Sequence, residues 1–116
     1  MSGRMDTDVW RARVRDFAQE REWEQFHTPK NLAMALVGEA AELMEIFQWL
    51  TPEESVKVMA GPRADAVRDE IADVMTYVLR LVDVLGIDLD AAMAAKSAAN
   101  AERYTVERSK GSARKW

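Results

Sequence analysis

Apolar residues along the chain recur at helical spacing and almost never alternate, which predicts helices and no strands. Val9, Ala12, Phe17, Ala18 and Trp23 form a loose stripe over a first helix, about 8–25, which the segment PheHisThrProLys breaks. Thr28 is a natural N-cap, with Pro29 in the first turn, where its missing N–H is not needed. From there Leu32, Leu36, Glu39, Leu43, Ile46 and Leu50 follow at spacings of 4, 3, 4, 3 and 4. That is a bundle seam running to about Leu50, and Glu39 occupies one of its core positions. Thr51-Pro52-Glu53-Glu54 matches a capping box and starts a short helix to about Met59, which Gly61-Pro62 ends. A further seam, Val67, Ile71, Val74, Val78, Leu81 and Leu85, predicts a helix over 64–85 stopped by Gly86. Asp88 can cap a last helix to about 103 or 104.

Four carboxylates interrupt this pattern. Glu39 and Glu42, and Glu70 and Asp73, are i, i+3 pairs in strongly apolar segments, so each pair shares one helix face. Exposing Glu39 by rotating its helix would expose Leu36, Leu43 and Ile46 with it. Acids converging in a bundle repel one another and lose hydration, a cost that a divalent cation removes. The chain has no cysteine and a single histidine, His27, outside both pairs. Oxygen-only ligation favours magnesium or manganese over zinc or copper. The bland alternative is a solvated acidic surface.

Composition narrows the classes further. The 116 residues suit one all-α domain over 1–105, followed by a polar, basic tail, 106–116, expected to order only against a partner or substrate. A formal net charge of −4 argues against polymeric nucleic acid as the partner. Neither a signal-peptide core nor a run of ~20 apolar residues is present, so a cytoplasmic protein without a membrane partner is expected. Trp23, Trp49 and Tyr77 read either as core and interface residues or as stacking surfaces for a nucleobase near the acids. Lys30 and Asn31 open the first acid-bearing helix, while Lys96, Asn100 and Arg103 form one polar stripe on the last helix. That stripe is either a solvated face or a phosphate clamp. No glycine-rich phosphate loop and no serine or cysteine nucleophile is evident.

The paired acids resemble the hallmark of the MazG-like all-α nucleotide pyrophosphohydrolases, a Glu-x-x-Glu pair on one helix and Glu-x-x-Asp on the next. ArgGluTrpGluGlnPheHisThrProLysAsnLeu, AlaLeuValGlyGluAlaAlaGluLeu, AspGluIleAlaAspValMetThrTyrVal and LysSerAlaAlaAsnAlaGluArgTyr are similar to the dCTP pyrophosphatase branch, over about residues 12 to 105. The resemblance implies a MazG-like four-helix bundle, assembled as a dimer or a dimer of dimers with the site near the subunit interface. It implies magnesium-dependent conversion of a nucleoside triphosphate and water to the monophosphate and pyrophosphate, with dCTP preferred. By the same resemblance Glu39, Glu42, Glu70 and Asp73 would ligate metal, and Trp23, His27, Trp49 and Tyr77 would line the base and sugar pocket. Lys30, Asn31, Lys96, Asn100 and Arg103 would approach phosphates. Glu39 and Glu42 would carry the catalysis, Glu42 as the carboxylate that takes a proton from water. Two features depart from the branch: Val14 stands where animal members carry a polar ring, and the connection around 51–63 is shorter. Competing expectations are a relative acting on dUTP or phosphoribosyl-ATP, and a non-enzymatic helical interaction module whose acids form salt bridges.

Overall fold

A computed structural model describes residues 4–116. Among these, the chain forms six α-helices and one 3-10 turn, with no strand: α1 (Thr7–Glu20), α2 (Pro29–Phe47), α3 (Pro52–Val56), the 3-10 turn Val58–Ala60, α4 (Ala64–Leu85), α5 (Leu89–Arg103) and α6 (Val106–Ser109). The all-α expectation holds. Contacts divide the chain into two compact units, one ending at Leu85 and the other Gly86–Trp116.

In the first unit the start signals work as the sequence predicts. Thr28 Oγ1 accepts from the Asn31 N–H at 3.1 Å, with Pro29 at the first helical position. Thr51 and Glu54 close a reciprocal capping box, Thr51 N–H to Glu54 Oε1 at 2.9 Å and Glu54 N–H to Thr51 Oγ1 at 3.1 Å.

Two helix ends differ from the sequence expectation. α1 stops at Glu20, five residues before Gln25. Glu22 adopts φ 55°, the left-handed region usually taken by glycine. The Trp23 N–H then reaches the Ala18 carbonyl at 2.9 Å, and the Glu22 N–H reaches that of Gln19 at 3.0 Å. This is a Schellman closure without its glycine, so composition did not announce it. α2 ends at Phe47, which leaves Trp49 in the following turn and 86% exposed.

The core of this unit lies where α4 meets α2 and α1. Ala18, Leu32, Val67, Leu79 and Val82 are its buried apolar residues. The predicted α4 seam is only partly buried: Ile71 and Leu85 are exposed, whereas Leu79 and Val82 are covered. A strict seam assumes one partner helix. Here α4 serves two, and α1 lies along the flank carrying Leu79 and Asp83.

In the second unit, Asp88 caps α5 by accepting from the Ala91 N–H at 3.0 Å. Thr105 likewise caps the single turn α6 through the Arg108 N–H, inside the segment assigned to the tail. The Arg108 guanidinium donates to the Arg103 carbonyl. The guanidinium groups of Arg108 and Arg114 lie 4.7 and 4.3 Å from the Trp116 ring centre.

Candidate functional site

α2 and α4 run antiparallel. His27, just before α2, meets Arg80 near the end of α4, while Glu39 in mid-α2 meets Glu70 nearer the start of α4. Glu70, Asp73, Tyr77 and Arg80 follow at spacings of 3, 4 and 3, so one stripe of α4 carries acids, a phenol and a guanidinium in turn.

Glu39, Glu70 and Asp73 converge, each offering a carboxylate oxygen within 4.8 Å of the others. Glu39 and Glu70 are half-buried, and Oε2 of each is buried without a hydrogen-bond partner. Buried carboxylate oxygens left unpaired are costly. The proton takes up part of the strain: Glu39 is pushed up to about 7, first by hydrogen bonding with Glu70, then by burial and by Glu42. Glu70 is also raised, chiefly by burial, and accepts from Glu39. Glu42 lies outside the three-acid group and is exposed, yet it is close enough to act on both Glu39 and Glu70. Three converging carboxylates, two of which carry a buried oxygen without a hydrogen-bond partner, with neither sulfur nor imidazole among them, fit a hard divalent cation.

The aromatic candidates separate. The Trp23 ring stands edge-on to Phe17 at 5.6 Å and to His27 at 6.1 Å. Val14, Phe17, Trp23, His27, Tyr77 and Arg80 line a cavity of about 90 Å³. Val14 and Thr76 also border a larger apolar groove of about 440 Å³ between α1 and α4. Trp49 is not part of either cavity. Lys30 and Asn31 are exposed, and Asn31 Nδ2 donates to the Phe26 carbonyl at 3.0 Å, bracing the loop before α2. Lys96, Asn100 and Arg103 are exposed on α5 in the second unit, where the Arg103 guanidinium lies 5.7 Å from the Tyr104 ring centre.

An ion cluster was missed by sequence reasoning. Arg80, 5% exposed, donates from Nη1 to Asp83 Oδ2 and from Nε to His27 Nδ1, both at 3.0 Å. Asp83 also accepts from Arg11 Nε at 2.8 Å and Arg15 Nε at 2.9 Å. The Arg15 hydrogen bonds, with help from Arg11, hold the Asp83 carboxyl down at about 2 against the opposing effect of burial. A signal existed: two charged residues stand in the otherwise apolar run from Val78 to Leu85.

An all-α chain whose two packed helices bring Glu39, Glu70 and Asp73 to a common point belongs with acid-cluster helical proteins rather than with P-loop or thiol chemistry. The chain belongs to the MazG-like family, whose model matches residues 35–116. It is 44% identical over 102 residues to dCTP pyrophosphatase 1 of Bos taurus and 42% identical over 102 residues to that of Homo sapiens. Each match covers 87% of this chain, and the chain spans 60% of each relative's length. A pyrophosphatase from Archaeoglobus fulgidus, solved by crystallography, superposes with a TM-score of 0.81 at 37% identity, over 90% of this chain and 97% of that one.

Proposed function

We propose that the chain is a magnesium-dependent nucleoside triphosphate pyrophosphohydrolase that converts a (d)NTP and water to the (d)NMP and pyrophosphate, with dCTP among its best substrates. The convergence of Glu39, Glu70 and Asp73, with buried oxygens left unpaired, carries this reading. The named activity of the curated relatives supports it.

Glu39, Glu70 and Asp73 would hold the ion, with Glu42 at its exposed side. Bound magnesium, or manganese in its place, supplies charge neutralisation for the phosphates and acidifies water. Glu42 would take the proton from water attacking the α-phosphorus, while Glu39 would keep the ligand geometry. Asp73 and Arg80 are seven residues apart, about 10 Å along the α4 axis. That is comparable to the reach from the phosphates of a nucleotide to its base, which supports placing the base near Trp23, His27 and Tyr77. Trp49, exposed beyond α2, supplies a further stacking surface. Lys30 would approach phosphates, as would Asn31 through the amide N–H that it does not donate to Phe26; Lys96, Asn100 and Arg103, exposed on α5 of the second unit, are read as a phosphate-binding stripe in their own right.

Among the described residues no helix is long and apolar enough to cross a membrane. Exposed Val9, Trp10 and Phe17 on α1 support assembly as a homodimer or homotetramer. Pyrophosphate release from the eight common NTPs and dNTPs, with and without magnesium, tests the function. Absence of release refutes the enzyme, and metal-independent release refutes the metal assignment. A clear preference for a purine or a ribonucleotide refutes the dCTP assignment.

A further inference from the structure

The Arg80–Asp83 cluster lies outside the acid site but touches the neighbouring cavity. Arginine is only ever a donor, so the ring nitrogen facing Arg80 Nε must accept and carries no proton. In a neutral imidazole the proton then sits on Nε2, which becomes a donor. Protonating the ring would break the Arg80 hydrogen bond and set an imidazolium against a guanidinium. Burial and Arg80 both lower the His27 pKa, in keeping with that geometry. Arg80 has little freedom to yield, being 5% exposed and tied to Asp83, which Arg11 and Arg15 hold from α1. Trp23 fixes the ring from another side, edge-on at 6.1 Å.

We propose that Arg80 is a positioning residue that locks His27 as the neutral Nε2–H tautomer, so that the cavity beside Trp23 and Tyr77 selects nucleotides presenting a hydrogen-bond acceptor on the base or sugar edge. The proposal rests on the nucleotide reading above. A pyrimidine carbonyl suits such a donor, and an exocyclic amine does not. Specificity thus acquires a part that the stacking residues cannot supply, because stacking accepts any base.

His27 is the only histidine, so its ring nitrogens can be followed without ambiguity by long-range proton–nitrogen NMR of the labelled protein. In the wild type we expect the Nε2–H tautomer at pH 8, kept to lower pH than in an unperturbed histidine, and a shift of its resonance on adding the non-hydrolysable α,β-imido analogue of dCTP. Arg80→Met should populate both tautomers, return the His27 titration toward its ordinary value and raise KM about tenfold with a smaller change in kcat. Arg80→Lys keeps a cation and a donor, and should restore part of the lock should Arg80→Met fail to fold. An Nδ1–H tautomer in the wild type overturns the proposal, as does a tautomer unaffected in folded Arg80 variants. A wild type that hydrolyses dCTP while its His27 resonance ignores the analogue overturns this inference alone. A lock found in a chain that hydrolyses no nucleotide supports the positioning role and overturns the functional reading instead.

Discussion

Metal binding by the acid cluster should be a proton exchange, and its pH dependence follows from the geometry. Glu39 is raised from 4.5 to about 7 because it donates to Glu70, is half-buried and faces Glu42. A cation needs that carboxylate ionised. The ionised fraction is about one half at pH 7 and about one hundredth at pH 5, so lowering the pH from 7 to 5 should weaken magnesium binding about 50-fold. Glu70, raised in the same direction, steepens the loss. The metal-free protein behaves oppositely. A carboxyl whose pKa is higher folded than unfolded contributes stability that is complete below about pH 4.5 and lost as the pH rises through about 7. The cluster therefore lowers the metal-free Tm between pH 5 and 8, while the Tm gain on adding magnesium grows over the same window. Titration calorimetry in two buffers of different ionisation enthalpy counts the released proton, and thermal melts give the stability arm. Affinity flat from pH 5 to 8 with no proton released would refute the raised pKa of Glu39.

Glu39→Gln and Asp73→Asn should each lower kcat about a hundredfold or more in the pyrophosphate-release assay, the scale of losing a charge-stabilising group, and near-wild-type rates in both would remove the metal assignment. Asp83→Asn leaves the buried Arg80 cation without its counter-charge and should cost about 3 kcal/mol or more in urea unfolding. In the wild type the drop of Asp83 from 3.8 to about 2 is worth about 2 kcal/mol, complete above pH 4 and lost as the pH falls through 2, a loss that the Asn variant should not show. Leu32→Ala, at a site 1% exposed, should cost about 2–5 kcal/mol by the same measurement. Trp49→Ala should leave urea stability within about 0.5 kcal/mol, since its ring is exposed, and raise KM for dCTP if it stacks on the base.

Local chemistry settled most of the helices from the sequence. Thr28-Pro29, Thr51 with Glu54, and Asp88 satisfy helix-start N–H groups with side chains three residues away, so no distant contact is needed to place those ends. The acid pairs were equally legible, because i, i+3 spacing puts both members on one face whatever the helix packs against. Tertiary structure decided the rest. Glu22 closes α1 in a conformation that its residue type does not favour, held by carbonyls of the preceding turn. Ile71 lies exposed and Leu79 buried because α4 answers to two neighbouring helices, and a seam read from one helix cannot divide its faces between them. The convergence of Glu39 with Glu70 and Asp73, and of Arg80 with His27 across 53 positions, depends on the antiparallel register of α2 against α4. Periodicity says which face a helix buries, but not how far one helix slides along another, and that offset sets which acid meets which and that His27 Nδ1 accepts from the Arg80 Nε–H.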